Sequence, residues 1–288
     1  MITKNAYAKI NLGLDVTGRR EDGYHIVRMI MQNVDIYDTL TFEKTAENKI
    51  VLTANKEDIP TDEHNLIVKV CKVLVEKYGI KEGVRIHLEK RIPVAAGMAG
   101  GSTDAAASFY GMKELFDLPI TVDEMCDMAV KLGADIPYCI KGGTMLSEGI
   151  GEVLTKLPDM PDCYILVGKP SIGVSTKWVY TTLDSKPIEK HPDIDGMCDA
   201  IRDNSLEGIV SRLYNVLEPV TKSEHDIIEK IENVMKDNGA DESIMTGSGP
   251  TVFGIFTDEE KAKNAYEALK KTELCPQLFL TRPINPLA

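Results

Sequence analysis

The sequence predicts a mixed α/β (α+β) protein of two domains, and three observations carry that expectation. Its first hundred residues hold alternating or continuous apolar runs of strand type, capped helical patterns recur from Asn65 onward, and a proline-bearing break follows residue 156. At 288 residues the chain can form one large or two ordinary domains whose core needs no disulfide or metal.

The early strands are expected at Ala8 to Thr17, Val27 to Val34 and Thr39 to Glu43, each bounded by polar turns. Asn65 can cap a helix through Leu66, Val70, Val73, Leu74 and Lys77, and Gly79 sits where that helix should stop. Val84, Ile86 and Leu88 alternate with polar residues as a further strand, after which a glycine-rich turn leads into an alanine-rich helix over Ala105 to Phe116. Thr121 and Glu124 have capping-box spacing and open a helix that ends near Gly133. Leu157 to Asp162, with Pro158 and Pro161, reads as a linker, so the expected domains are residues 1–158 and 159–288. In the second, Tyr164 to Gly168 and Thr251 to Phe256 read as strands. Ser223 is expected to begin a helix that runs to Gly239, and Thr257 with Glu260 to cap a last helix through Ala262, Ala265, Tyr266 and Leu269.

Thirty-three Lys and Arg against 45 Asp and Glu leave a net charge of −12, the wrong sign for a surface that coats nucleic acid. No run of basic and aromatic residues offsets that charge, so a nucleic-acid module is disfavoured. Six cysteines, at Cys71, Cys126, Cys139, Cys163, Cys198 and Cys275, form no C-x-x-C pair and read as reduced structural thiols. The start, MITKNAYAKINLGLDV, interrupts its apolar residues with charge, which argues against a signal-peptide core or membrane span and for the cytoplasm. The five histidines make no metal-binding pattern, so a structural metal centre is not expected.

Three segments carry chemistry. The first is Pro93-Val-Ala-Ala-Gly97-Met-Ala-Gly100-Gly101-Ser102-Thr103-Asp104, set between a strand and a helix. Small residues let backbone amides approach a phosphate chain, the helix adds its free N–H groups and dipole, and Ser102 or Thr103 could meet a magnesium ion. A tight strand-to-helix turn with a hydroxyl cap explains the composition as well. The segment matches neither G-x-x-x-x-G-K-[ST] nor G-x-G-x-x-G. A second loop, Thr246-Gly247-Ser248-Gly249-Pro250, reads alone as a turn, unless it folds back beside the first. In the third, Lys9 and Asn11 alternate with Ala8, Ile10 and Leu12, which puts both polar side chains on one strand face. A solvated face is the commoner reason for such a pattern. Asp135, in Gly133-Ala-Asp135-Ile-Pro137, reads either as a turn residue or as a carboxylate that needs a lysine near it.

Taken together and in this order, the three segments resemble the motifs of the galactokinase, homoserine kinase, mevalonate kinase and phosphomevalonate kinase (GHMP) superfamily, from Ala6 to about Phe256. PVAAGMAGGSTDAAA and MTGSGPTVFGIF would suit several members. AYAKINLGLDVTGRREDGYH, NLIVKV and LGADIPYCIKGGTMLSEGIGE resemble the branch that acts on a cytidine-diphosphate-linked methylerythritol in the non-mevalonate isoprenoid route. The resemblance implies a ribosomal-protein-S5-like N-terminal domain that binds ATP, a ferredoxin-like C-terminal α/β sandwich that contributes to the substrate pocket, and an active site in the cleft between them.

It also implies roles. Val94, Ala95, Ala96, Gly97, Met98, Ala99, Gly100, Gly101, Ser102, Thr103 and Asp104 would hold ATP with Mg²⁺, supported by Gly247, Ser248 and Gly249. Lys9 and Asp135 match the catalytic pair: Asp135 accepts or orients the acceptor's 2-hydroxyl proton, and Lys9 balances the developing charge. Asn11, Tyr24 and His25 match the small-molecule site, with Thr176 and Tyr180 closing it. Many relatives carry Leu and Ser where this chain has Met98 and Thr103, which keeps an apolar side chain and a hydroxyl. The alternatives are a sister homoserine or sugar-alcohol kinase and a catalytically silent ligand sensor on the same fold.

Overall fold

The structure is a computed structural model that describes residues 1–286. The chain forms two compact units, one of Met1–Ala8, Ile36–Val94 and Ala99–Lys141, the other of Lys9–Asp35, Ala95–Met98 and the chain from Gly142 on. Two long strands supply residues to both: β1 (Ile2–Arg19) changes unit after Ala8, and β2 (His25–Thr45) after Asp35.

The expected strands Val27 to Val34 and Thr39 to Glu43 are therefore one. The intervening Asp35 to Asp38 looks like a turn in sequence, but the Asp38 carboxylate is fully buried and accepts from the Arg91 and Ile92 amides at 2.5 and 2.8 Å. Those bonds satisfy the aspartate without a turn, so the backbone stays extended.

In the first unit β3 (Ile50–Ala54), which no sequence pattern singled out, is followed by α1 (Leu66–Tyr78) and β4 (Gly83–Glu89). β4 lies parallel to β3 and antiparallel to the second half of β2. α1 is capped as its sequence predicts: the Asn65 side chain accepts from the Ile67 amide at 2.9 Å, and Gly79 closes the helix with φ +63°. α2 (Gly100–Phe116) begins five residues before the expected start at Ala105. Glycine is a poor helix former, but a methyl at Gly100 would lie 3.0 Å from Ile92 Cγ2 and from Lys90 Nζ, so tight packing overrides propensity. α3 (Val122–Ala129) carries both bonds of the Thr121–Glu124 capping box. α4 (Ile136–Lys141) was unforeseen because Pro137 reads as a breaker; in the first turn of a helix its missing N–H is harmless. α2 packs against α1 and α4 over a core that includes Phe42, Leu74, Ile86, Phe109 and Met112.

In the second unit β5 (Thr144–Glu148) pairs with the first half of β2 and with β6 (Val153–Lys156). β7 (Tyr164–Lys169) is the strand expected after the proline-bearing stretch. α5 (Thr176–Leu183), α6 (Ile194–Arg202) and α7 (Leu206–Val210) then lead to β8 (Tyr214–Asn215), which pairs in parallel with Gly13 and Leu14 of β1. α8 (Glu218–Lys222) ends at Ser223, whose hydroxyl donates back to the Val220 carbonyl at 2.7 Å. Ser223 thus closes one helix instead of opening the next, and α9 (Ile227–Asp237) starts after Asp226. β9 (Glu242–Met245) and β10 (Val252–Phe256) precede α10 (Glu259–Lys271), whose cap is Asp258, not Thr257: it accepts from Lys261 N at 2.9 Å. β11 (Gln277–Thr281) completes the order β11-β7-β10-β9, antiparallel throughout, and β12 (Pro283–Ile284) pairs with β2. A methyl at Gly168 on β7 would meet Leu269 of α10 at 3.2 Å and Met235 of α9 at 3.4 Å, so both helices cover one face of that sheet.

Candidate active site

Lys9 is only 4% exposed and Asn11 fully buried, in a stretch of β1 buried on both faces from Ala8 to Val16. The commoner explanation of their alternation, a solvated face, does not hold. A buried ammonium needs acceptors. Lys9 Nζ donates to Asn11 Oδ1 at 2.6 Å and to the Gly97 carbonyl at 2.8 Å, while its backbone N–H donates to the Met98 carbonyl at 3.2 Å. Lys9 therefore ties β1 to the first glycine-rich loop by side chain and main chain together.

The second glycine-rich loop meets the first. At Gly97, with φ +72°, an added methyl would lie 2.4 Å from the Thr246 carbonyl oxygen; at Gly247, with φ +58°, it would lie 2.9 Å from the Gly97 carbonyl oxygen. Only residues without a side chain permit that approach at such φ. Four side chains take part in fixing the second loop. The amide of buried Asn215 donates to the Met245 and Gly247 carbonyls at 2.9 and 2.8 Å, and Thr246 Oγ1 accepts from the Asn11 backbone amide at 2.9 Å. The Thr176 and Ser248 hydroxyls lie 2.8 Å apart, which ties the start of α5 to the same loop.

In the first unit, α2 starts from Ala99 in the left-handed region with φ +57°, and among the described residues no side chain caps its first turn. Ala95, in the second unit, is also left-handed, φ +50°. Each such alanine costs about 1–2 kcal/mol, tolerated where surrounding structure demands it. First-turn amides at the start of a 17-residue helix, with the dipole behind them, favour an anion such as phosphate. Val94 presents an exposed apolar side chain just before the loop. Ser102 is half-buried, whereas the Thr103 hydroxyl is buried and donates to the Gly100 carbonyl at 2.9 Å.

Asp104 points inward. Lys90 Nζ donates to its Oδ2 at 2.6 Å and to Asp38 Oδ2 at 2.5 Å, and all three side chains are at most 5% exposed. Burial, helped by the charge of Asp38 and opposed by Lys90, pushes the Asp104 carboxyl up to about 8. Burial alone would lower the Lys90 ammonium, but the Asp104 and Asp38 carboxylates outweigh it and raise it. The network pins the first turns of α2 to the end of β4.

Asp135 precedes α4 and is half-buried; its backbone carbonyl accepts from the Cys139 amide at 3.1 Å and so opens that helix. The buried Tyr138 hydroxyl is held well above its ordinary range by burial and by the charges of Cys139 and Asp135.

At the turn between β1 and β2, Tyr24 is exposed and His25 turns toward α5. His25 lies 4.6 Å from the Tyr180 ring, centroid to centroid, and its Nε2 is 2.7 Å from Asp184 Oδ1. The second unit thus joins His25 with Tyr180, Thr176 with Ser248, and Lys9 with Asn11 and Gly97.

A model of the GHMP kinases N terminal domain matches residues 65–143, and one of the GHMP kinases C terminal domain matches residues 188–273. A 4-diphosphocytidyl-2-C-methyl-D-erythritol kinase of Lachnoclostridium phytofermentans is 48% identical over 98% of this chain and 97% of its own. The chain belongs to the GHMP kinase family. A kinase of the same name from Lachnospira eligens is 46% identical over 99% of both chains. Among solved structures, that of a 4-(cytidine 5'-diphospho)-2C-methyl-D-erythritol kinase superposes with TM-score 0.83 at 28% identity, covering 98% of this chain and 99% of the other. A homoserine kinase from Cytophaga hutchinsonii shares the GHMP kinase fold, with TM-score 0.79 at 20% identity over 99% and 94% of the chains. The mixed α/β fold expected of a GHMP kinase is therefore present, and membership implies use of ATP.

Asp38, Lys90, Asp184 and Asn215 were not found from sequence. None stands in a motif, and each matters through partners 14 to 165 positions away. Among the described residues no cluster of three or more His, Cys, Asp or Glu is arranged to hold a metal, and no helix is long and apolar enough to cross a membrane.

Proposed function

We propose that this GHMP kinase transfers the γ-phosphoryl group of ATP to the 2-hydroxyl of 4-diphosphocytidyl-2-C-methyl-D-erythritol, in the cytoplasm. The near-full-length similarity to curated kinases of that name carries the reading. Residues 1–158 bind ATP and residues 159–288 contribute to the substrate pocket.

In this reading the backbone amides from Val94 to Asp104 cradle the phosphates, and the second glycine loop supports Gly97. Asp104 acts indirectly, by anchoring α2 through Lys90. Lys9 supplies positive charge where phosphate charge develops, and Asp135 accepts or orients the proton of the attacking hydroxyl. Asn11 fixes Lys9. Tyr24, His25, Thr176 and Tyr180 receive the cytidylated alcohol. Magnesium arriving with ATP would neutralise phosphate oxygens, and Ser102 is the hydroxyl that suits it, because Thr103 is committed to its own turn.

A coupled assay for ADP release tests the assignment. Turnover with the cytidylated alcohol and none with homoserine, mevalonate or galactose is expected. Activity on one of those three instead identifies a sister kinase, and ligand binding without turnover identifies a sensor.

A further inference from the structure

We propose that Asp184 is a positioning residue that fixes which hydrogen bond His25 offers to the substrate base, and thereby makes the pocket select cytosine over uracil. The inference rests on the reading that the acceptor is cytidylated and that His25 helps receive it, and it assigns His25 to the edge of the base.

Asp184 caps the C-terminus of α5, where its backbone N–H donates to the Tyr180 and Thr182 carbonyls. Its carboxylate takes two partners from the β1–β2 turn: His25 Nε2 at 2.7 Å on Oδ1 and Arg19 Nη1 at 3.0 Å on Oδ2. Arg19 also donates through Nε to the Gly23 carbonyl at 3.2 Å, so it braces the turn that carries Tyr24 and His25. Tyr180, one helical turn before Asp184, covers a face of the imidazole with the two ring planes inclined by 31°. The His25 side chain is only 13% exposed. One helix end thus holds the ring by its edge and by its face.

The carboxylate does more than hold. Both its oxygens are acceptors, so a neutral imidazole bonded to it carries its proton on Nε2 and leaves a lone pair on Nδ1. Among the described residues no protein group bonds Nδ1. An acceptor there matches the exocyclic amine of cytosine and opposes the carbonyl oxygen that uracil has in its place. A site built on such a bond rejects the mismatched base by leaving polar groups unpaired.

Asp184→Asn inverts the pattern with little change of shape. An amide offers one acceptor and one donor. Arg19, which only donates, claims the amide oxygen, so the amide nitrogen faces Nε2 and the ring proton moves to Nδ1. His25 would then present a donor to the base.

The test is titration of cytidine 5'-diphosphate and uridine 5'-diphosphate into the protein by calorimetry, with ADP saturating so that the ATP loop is occupied. Wild type should favour the cytidine nucleotide by at least about tenfold. Asp184→Asn should bring that ratio to about one or below, and should raise KM for the cytidylated alcohol more than it lowers kcat, with KM for ATP within about twofold of wild type. Nitrogen-15 NMR of the wild-type histidines should find His25 protonated on Nε2, a readout that needs no variant to fold. A proton on Nδ1, equal or absent binding of the two nucleotides by wild type, or an unchanged ratio in folded Asp184→Asn would each overturn the proposal. Failure to phosphorylate the cytidylated alcohol while the nucleotide preference stands would sink the functional reading and not the role of Asp184.

Discussion

Gly97 and Gly247 each face the other's glycine loop with no room for a side chain. A methyl on Gly97 meets the Thr246 carbonyl at 2.4 Å, and one on Gly247 meets the Gly97 carbonyl at 2.9 Å. That same Gly97 carbonyl accepts from the Lys9 ammonium at 2.8 Å. Two glycine turns and a lysine are therefore one mechanical unit. Gly97→Ala should cost about 1–3 kcal/mol of stability and at least about tenfold in kcat/KM, because the loop must move off the lysine. Gly97→Ala with Gly247→Ala should be less damaging than the two effects summed, since one displacement relieves both. Denaturant melts and steady-state kinetics check this; strict additivity would mean the loops are independent.

Lys9→Ala and Asp135→Asn should each lower kcat by about 10²–10⁴. If the two act on one proton transfer, the double variant will be about as slow as the slower single variant. Circular dichroism must report a folded protein in each case. A multiplicative double effect would show that the residues serve separate steps.

Lys90→Met leaves two buried carboxylates, Asp38 and Asp104, without their shared cation. Breaking such a buried network by removing one partner costs about 3–5 kcal/mol. Urea denaturation should register that loss, and retention of full stability would mean that the carboxylates find other partners.

Asp104 also sets a pH dependence. Its carboxyl is pushed up to about 8 from an ordinary value of 3.8, so between those limits the folded chain holds a proton that the unfolded chain releases. Folding stability therefore falls as pH rises through that window and levels off above it. Glu232, pushed up to about 7 by burial and by the charge of Glu218, tilts the curve the same way. Asp104→Asn should flatten the decline between about pH 6 and 8.5 in urea titrations and leave the Glu232 contribution. A variant curve parallel to wild type would refute the assignment to Asp104.

Elements whose cause is local were legible without coordinates. Asn65 and Gly79 bracket α1, and Thr121 with Glu124 opens α3, because those bonds join residues at most a turn apart. The misread ends share a different cause. Asp35 to Asp38 looks like a turn until Arg91 and Ile92 supply amides to Asp38, and Ser223 looks like a cap until its hydroxyl turns back to Val220. β3 and β5 are short strands whose pairing partners, β4 and β2, lie far along the chain.

The three motif segments, their order and the chemistry of their residues stood in the sequence alone, because glycine, lysine and carboxylate carry their conformational and ionic properties wherever they occur. That Lys9 is buried and grips Gly97, that the second glycine loop lies against the first, and that Asp184 holds His25 were decided only by the fold. Each is a contact over tens to hundreds of residues, and such a contact exists only where long strands and helix ends bring its partners within about 3 Å, the reach of a hydrogen bond.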